Sequence, residues 1–324
     1  MNNQNTRRIV TIALLIVMTA FFALTTEFFL SYRNLSQLLL EAAYIGIVAL
    51  GTSFVIVGGG VDLSGGGMMC FLGVVVARSA MLHNLPGFVI LIIALICGAL
   101  CGLLNAVIVL KLRLTEFVTT LATGSVFNGL ALLTIFRQGD KIVATTIANR
   151  SFLALGRPIN GIYYVSIAWV VLTIIMQFIL KKTKFGLYTV AMGSNPGSAA
   201  MSGMNCDRLK MITFMIGGAF AGLSAAFLVA YQTGTTLQTG FGMAFKAVAA
   251  CVVGGLVLGG GKGDPVASFL GALVFTLITN GLYKWGLSTA GMNIMQGVII
   301  LVALTFDAVL NIVSEKRLTA NEQL

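Results

Sequence analysis

The chain has 324 residues, of which 58% are hydrophobic and only 9% are charged. A water-soluble domain has a charged fraction of roughly a quarter, so this composition excludes a soluble globular protein and indicates an integral membrane protein. The net charge of +10 does not indicate nucleic-acid binding, because the basic residues lie scattered at the ends of apolar runs. No long charged or Pro/Ser-rich linker interrupts the chain, which predicts one membrane domain over residues 1–324.

The apolar runs, taken in chain order, predict an all-α, polytopic membrane helix bundle with about ten transmembrane helices. The predicted spans are 9–24, 38–57, 68–82, 87–110, 117–136, 163–180, 211–231, 244–258, 266–285 and 292–313. Gly98 and Gly102 have the spacing of small residues at a close helix contact. An even number of crossings leaves both termini on one side, and the basic N-terminal segment predicts that this side is the cytoplasm.

Two glycine-rich stretches interrupt this pattern near 58–67 (GGGVDLSGGG) and 244–263. Glycine costs about 1 kcal/mol per helical site relative to alanine, so we predict broken or re-entrant segments, which require surrounding protein or a watery cavity. In the first stretch the residues of interest are Gly59, Asp62, Ser64 and Gly66. A glycine-rich turn between two closely packed helices explains that stretch equally well. After the second stretch, Asp264 is predicted to N-cap a helix that Pro265 opens.

Uncharged polar side chains inside the predicted spans are candidates for a solute path. They are Asn105, Thr120, Thr123, Asn128 and Asn280. Polar groups that face lipid are costly, so we expect these side chains to point into the bundle. Hydrogen bonding between helices is the alternative for each of them. Glu41 is the discordant residue, because a path for a neutral solute has no evident need of a charge.

The segment 181–210, which we name the knuckle, is the longest run that is not typical of a membrane span. Basic residues at both of its ends predict a cytoplasmic position. We predict a short half-polar segment over 185–192, a turn at Gly193, and an N-cap at Asn195 with Pro196 in the first helical position. A short helix over 198–202 is predicted to end at Gly203 in the left-handed conformation. Such a shape suits a partner surface, although an ordinary connecting loop is the alternative.

Motifs for chemistry are not evident. The five cysteines and the single histidine lack metal-ligand spacing, so we expect no metal site and no cofactor in this chain. The stretch GGGKGDP is not a phosphate-binding loop, because that loop requires Ser or Thr after its lysine and Gly263 follows Lys262. The chain is therefore not expected to be an enzyme.

Three stretches resemble segments of the permease subunits of ribose/galactose-type bacterial ABC sugar importers. GGGVDLSGGG is similar to the family's GG-[IV]-DLS-x-G segment, and AVAACVVGGLVLGGGKG is similar to its AxVVGG-x-x-x-GG-x-G segment. The knuckle is similar to the family's cytoplasmic loop, FG-x-x-x-Y-A-x-G-x-N-x-x-A-A-x-x-SG-[IV]. The positions in register there are Gly186, Gly193, Asn195, Ala199, Ala200, Ser202 and Gly203.

The resemblance implies a permease of the bacterial inner membrane that passes a neutral sugar received from a periplasmic solute-binding protein. It also implies a second permease chain, identical or different, and a separate ATP-binding cassette subunit that binds ATP and Mg. The coupling contact with that subunit would be the knuckle, through the positions in register and Pro196. Membrane lipid is an expected partner and nucleic acid is not.

Two alternatives remain open from the sequence. A permease for branched-chain amino acids or nucleosides belongs to the same broad class of importers. A secondary transporter would need charges inside the membrane to carry ions, and only Glu41 and Asp307 qualify.

Overall fold

A computed structural model describes residues 3–83, 85–135, 137–138, 141–142, 147–288, 290–302 and 305. The helices in chain order are α1 Asn3–Thr25, α2 Tyr32–Val57, α3 Gly65–Leu82, α4 Gly87–Leu112, α5 Glu116–Thr134, α6 Arg150–Leu153, α7 Tyr164–Lys182, α8 Lys184–Ser194, α9 Pro196–Met201, α10 Cys206–Gln232, α11 Met243–Val253, α12 Pro265–Lys284 and α13 Ala290–Val302. Two antiparallel strand pairs accompany them, β1 Arg137–Gln138 with β2 Lys141–Ile142 and β3 Pro158–Ile159 with β4 Ile162–Tyr163.

The predicted all-α polytopic bundle is confirmed. Among the described residues, eight helices are long and apolar enough to cross a membrane, namely α1 from Arg7, α2, α3, α4, α5, α7, α10 and α12. The predicted eighth and tenth spans correspond to the shorter apolar helices α11 and α13. Residue 136, at the end of the predicted fifth span, and most of 303–313 lie outside the described residues, as does Asp307.

The centre of the bundle is α2, whose most apolar window is 94% buried, against 11% for α1. Helix α10 packs on α2, where a β-carbon on Gly51 would lie 3.0 Å from the Gly217 Cα. It also packs on α4, because β-carbons on Gly98 and Gly102 would overlap the carbonyl oxygens of Gly218 and Phe214. The predicted close packing through the glycines of α4 is therefore confirmed.

The first break in the helices is narrower than predicted. Helix α2 ends at Val57, Gly59 has φ +83°, and α3 already begins at Gly65. Gly65 lies beside Val48, nine residues and about 13 Å back along α2 from Val57. The segment 58–64 therefore runs back into the bundle beside α2, which agrees with a re-entrant segment and not with a tight turn.

Gly66 does not belong to that break. It lies in the first turn of α3, where an added β-carbon would lie 2.8 Å from the carbonyl oxygen of Gly240. The assignment of Gly66 to the broken segment was wrong, because a run of three glycines remains helical here where neighbouring backbone packs against it. The glycine serves a close approach between segments and not a non-helical conformation.

The second break is also narrower than predicted, because the first half of 244–263 belongs to helix α11 and only 254–264 is non-helical. Asp264 accepts a hydrogen bond from the Ala267 N–H at 3.0 Å and Pro265 opens α12, as predicted. The Asp264 side chain is 2% exposed and pairs with Arg8 and, at 3.6 Å, with Lys181. This pairing holds the start of α1 against the break.

Both breaks contact α8 at the end of the bundle that carries α8 and α9, through Gly59 and Gly260. We name this end the knuckle end. The start of α2 at Tyr32 and the end of α12 at Lys284 define the opposite end.

Candidate functional site

The knuckle and the two breaks meet at a single point, although they are far apart in the sequence. The Gly261 N–H donates a hydrogen bond to the Val57 carbonyl oxygen at 2.9 Å. A β-carbon on Gly260 would lie 2.6 Å from the Gly59 Cα and 2.7 Å from the Gly193 carbonyl oxygen. We name Gly59, Gly193, Gly260 and Gly261 the glycine junction. Its contacts are backbone to backbone, so no flexible side chain separates the knuckle from either break.

The turn predicted at Gly193 is absent. Gly193 is buried within α8, which continues to Ser194, and it is not among the described residues with positive φ. A β-carbon there would overlap the Val57 carbonyl oxygen and lie 2.7 Å from the Gly261 N. Glycine is needed at this position because α2 and the second break approach α8 closely. The chain turns two residues later, at Asn195, which is extended at φ −157°.

The predicted caps of the knuckle are confirmed. The Asn195 side chain accepts a hydrogen bond from the Ser198 N–H at 2.9 Å, and Pro196 occupies the first turn of α9. Gly203 has φ +79°, the left-handed conformation predicted for it. In addition, Thr183 caps α8 by accepting a hydrogen bond from the Gly186 N–H at 3.2 Å. The knuckle is therefore two short, capped helices and not an irregular loop.

The predicted coupling residues divide into a buried and an exposed group. Gly186, Gly193 and Ala199 are buried, whereas Asn195, Pro196, Ala200, Ser202 and Gly203 are exposed. Next to the exposed group lies Met201, which is 92% exposed, and α8 presents Leu187, which is 63% exposed. The exposed members and these apolar side chains form an accessible surface, while the buried members attach the knuckle to the bundle.

We expect Asn195→Ala to loosen α9 by removing its N-cap, at a cost of about 1 kcal/mol. That cost corresponds to roughly fivefold faster exchange of the amides in 196–201, measured by hydrogen–deuterium exchange mass spectrometry. Asn195→Asp is the matched control, because aspartate caps a helix as well as asparagine. Equal exchange in the alanine and aspartate variants would contradict the role of the cap.

Two of the predicted path residues, Asn105 and Thr120, fasten the first break, and a third, Thr123, lies on the same face of α5 as Thr120. Leu63 N–H donates to Thr120 Oγ1 at 3.0 Å, and Asn105 Nδ2 donates to Ser64 Oγ at 2.8 Å. The buried Asp62 carboxylate accepts hydrogen bonds from the backbone N–H and the hydroxyl of Ser64. Thr123 donates to the Thr120 carbonyl oxygen on the same buried face. Asn105 and Thr120 thus bond to the re-entrant segment, which agrees with the inter-helix alternative, and their contact with a solute stays a prediction.

The other two path residues lie elsewhere, so the structure does not bring the five together. Asn128 is exposed on the surface of α5. The expectation that its side chain points into the bundle was therefore wrong. Asn280 is buried toward the opposite end, where its Oδ1 accepts a hydrogen bond from Asn34 Nδ2 at 3.1 Å. It lines a cavity of about 1050 Å³ that Glu41 also lines.

Glu116 is a site residue that the sequence analysis missed. Its Oε2 accepts a hydrogen bond from the Val61 N–H at 3.0 Å, and its Oε1 pairs with the ammonium of Lys210. Glu116 therefore connects the first break to Lys210 on α10, the last residue of the knuckle. An acidic residue in the first turn of a helix is ordinary, because it complements the helix dipole, so nothing in the sequence set Glu116 apart.

Comparison with known proteins identifies the family. A protein-family model described as "Branched-chain amino acid transport system / permease component" matches residues 34–304. The chain belongs to this permease family. It is a multi-pass membrane protein, and the junction and both breaks lie inside the matched region.

Similar curated relatives match over nearly the whole chain. The ribose import permease protein of Bacillus subtilis (strain 168) is 31% identical over 294 residues, which cover 90% of each chain. The ribose import permease protein of Escherichia coli (strain K12) is 31% identical over 307 residues, 91% of this chain and 92% of the relative. The galactose/methyl galactoside import permease protein of the same strain is 29% identical over 308 residues, with the same coverage. No solved structure matches this chain.

These findings confirm the family resemblance drawn from the three stretches. The positions that carry it converge in space, because each of the three stretches contributes at least one residue to the glycine junction. The motifs are therefore parts of one structural unit.

Proposed function

We propose that this chain is the permease subunit of an ATP-driven importer and passes a neutral sugar across the bacterial inner membrane. The observation that carries the proposal is the identity of about 30% over 90% of the chain with permeases named for ribose. The relative named for galactose and methyl galactoside supports the broader class of neutral sugars. The chain itself would bind no ATP and perform no catalysis, and ATP and Mg would be held by a partner subunit.

We infer that the knuckle end faces the cytoplasm, with both termini on that side. Supporting this orientation, the knuckle end carries Lys181, Lys182 and Lys184 at the end of α7 and the start of α8. Arg7 and Arg8 lie against the second break at the same end. Basic residues concentrate on the cytoplasmic side of membrane proteins. The opposite end would then face the periplasm and receive the solute-binding protein.

In the proposed mechanism, an ATP-binding cassette subunit docks on the exposed surface of the knuckle. Nucleotide-driven movement of that subunit would displace α8 and α9. Because Gly193 contacts the backbone of Val57 and of the second break, displacement of α8 would be transmitted to both breaks with little loss. Close-packed interiors transmit strain in this way. A second permease chain, identical or different, would complete the transporter within the lipid.

A branched-chain amino acid is the second candidate solute, because the matched family model carries that description. An amino acid needs fixed partners for both of its charges, whereas a sugar needs hydroxyl partners. A transport assay that offers L-leucine beside D-ribose and D-galactose separates the two candidates.

We expect accumulation of solute to require the ATP-binding subunit. Proteoliposomes with permease, cassette and loaded binding protein should accumulate D-ribose or D-galactose when ATP is supplied, and those without the cassette should not. Uptake of radiolabelled solute is the measurement, and a cassette variant unable to hydrolyse ATP is the control. Accumulation driven by a proton or sodium gradient in permease-only liposomes would contradict the proposal and favour a secondary transporter.

A further inference from the structure

The cavity at the opposite end has the dimensions of a ligand chamber. Its volume is about 1050 Å³, at the upper end of the ~300–1,000 Å³ typical of ligand pockets. Along α2 its wall extends from Arg33 to Ile45, twelve residues or about 18 Å into the bundle. The remaining wall comes from the connection between α1 and α2, from α10, α11, α12 and α13, and from the connection between α10 and α11. The chamber therefore reaches well into the span from the side opposite the knuckle.

The deep part of this wall is polar and carries opposite charges. Glu41 on α2 and Lys246 on α11 both line it, and Glu41 Oε1 accepts a hydrogen bond from Gln37 Nε2 at 3.0 Å. Their formal charges cancel, while Arg33 and Lys284 lie in the exposed part of the wall. Ionisable groups within a membrane span face each other or a watery cavity. The deep chamber thus offers hydrogen-bonding groups of both kinds without a net charge that would select an ion.

Two hydroxyl groups of the wall have no hydrogen-bond partner among the described residues. Tyr44 is 4% exposed and Thr276 is 1% exposed, and the hydroxyl oxygens of both are buried and unpaired. A buried polar group without a partner costs about 1–3 kcal/mol, so most such groups in proteins are satisfied. Among the described residues seven buried side-chain polar atoms lack a partner, and these two are the ones whose residues line the chamber.

The same wall presents aromatic surface. The rings of Tyr44 and Tyr231 lie 6.3 Å apart between centroids, and both residues line the chamber. The C–H faces of a sugar ring are apolar and pack against aromatic rings, while its hydroxyls need donors and acceptors at the edges. Aromatic walls with a few placed polar groups are typical of small-molecule sites.

We propose that this chamber binds the solute on its way through the permease, with the hydroxyls of Tyr44 and Thr276 as direct contacts and Glu41 and Asn280 beside them. The ligand class is a neutral polyhydroxylated ring, an assignment that rests on the proposed function. The proposal gives a role to Glu41, the charge for which a path for a neutral solute had no evident need. Its carboxylate accepts hydrogen bonds from sugar hydroxyls, and the opposite formal charge of Lys246 leaves the deep chamber without a net charge.

The test removes single hydroxyl groups. Tyr44→Phe and Thr276→Val each delete one hydroxyl and keep the shape of the side chain. The control for Tyr44→Phe is Tyr163→Phe, because the Tyr163 ring packs on Tyr231 but lies outside the chamber wall. The control for Thr276→Val is Thr173→Val, because the Thr173 hydroxyl is buried and bonds within α7. Each variant is reconstituted with its cassette and binding protein, and uptake of D-ribose, D-galactose, L-arabinose and L-leucine is measured together with ATP hydrolysis.

We expect Tyr44→Phe and Thr276→Val to lower sugar transported per ATP hydrolysed by about tenfold, the effect of one lost hydrogen bond of ordinary strength. Binding-protein-stimulated hydrolysis and thermal stability should be retained, because an unsatisfied hydroxyl is removed, and both controls should match the wild type. A variant that merely disturbs the fold would lower hydrolysis and transport together.

Two results would overturn the proposal, and they are distinguishable. Sugar uptake by the wild type together with unchanged transport per ATP in both hydroxyl variants would refute the chamber alone. Import of L-leucine and of none of the sugars by the wild type would refute the proposed function, and with it the assignment of a polyhydroxylated ligand.

Discussion

Gly193→Ala is expected to abolish solute transport. The added methyl group would overlap the Val57 carbonyl oxygen and crowd the Gly261 N, and both are backbone atoms that cannot rotate away. Overpacking of a tight contact costs about 1–3 kcal/mol, and more where the neighbours cannot shift. The substitution has no backbone penalty of its own, since Gly193 is helical, so its whole effect comes from separating α8 from the two breaks.

Gly197→Ala is the matched control for Gly193→Ala. Gly197 lies four residues further along the knuckle, in α9, and a β-carbon there would meet only Asn195 Oδ1 at 3.4 Å. We expect this variant to transport as the wild type does. Transport and binding-protein-stimulated ATP hydrolysis are measured for both, with thermal unfolding in detergent as the test of folding. Wild-type transport by Gly193→Ala would show that the glycine junction does not carry the coupling.

Glu116→Ala is expected to uncouple ATP hydrolysis from transport. The substitution leaves the Val61 N–H of the first break without its acceptor, at a cost of about 1–3 kcal/mol. It also removes the ion-pair partner of Lys210. The Lys210 side chain is 27% exposed, so water solvates its charge and the loss of the ion pair costs little free energy. Because neither lost contact involves the exposed residues of α8 and α9, docking of the cassette should persist. We expect about a tenfold loss of solute transported per ATP.

Two further variants separate the contributions of Glu116. Glu116→Gln keeps an oxygen that accepts the Val61 N–H and loses only the ion pair, so it should retain most of the transport. Asp207→Ala removes a nearby exposed carboxylate in the first turn of α10 and should have little effect. Equal losses in the glutamine and alanine variants would mean that the ion pair with Lys210, and not the bond to the break, is the important contact.

Much of the knuckle was predictable because capping is local. Asn195, Pro196 and Gly203 act on backbone groups only a few residues away, so their order in the sequence specifies their geometry. The same locality explains why Asp264 and Pro265 were correctly placed at the start of α12. Gly193 was misread because glycine serves two different purposes, a left-handed turn and a close approach. Only the neighbours decide between them, and those neighbours are Val57 and Gly261.

The path residues show the same limit of prediction. A polar side chain within a span predicts burial, which is correct for Asn105, Thr120, Thr123 and Asn280. It does not say which partner satisfies the group, because a hydroxyl or amide bonds equally well to protein or solute. Asn105 and Thr120 bond to the first break, whereas Asn280 lies in the chamber with Tyr44 and Thr276. Tyr44 and Thr276 also lie within predicted spans, but nothing in the sequence set them apart from other hydroxyl-bearing residues there.

By itself, the sequence determined the membrane character, the helical spans, the local caps and the family resemblance. These features depend on the hydropathy of contiguous runs and on interactions over a few residues, both of which are written in the order of the chain. The tertiary structure alone decided that the two breaks and the knuckle meet at four glycines, that Glu116 joins a break to α10, and that polar groups from separate helices surround one chamber. These features depend on contacts between segments far apart in the sequence, some of them by more than two hundred residues. There the approach of backbones and the sharing of partners, and not residue type alone, select the geometry.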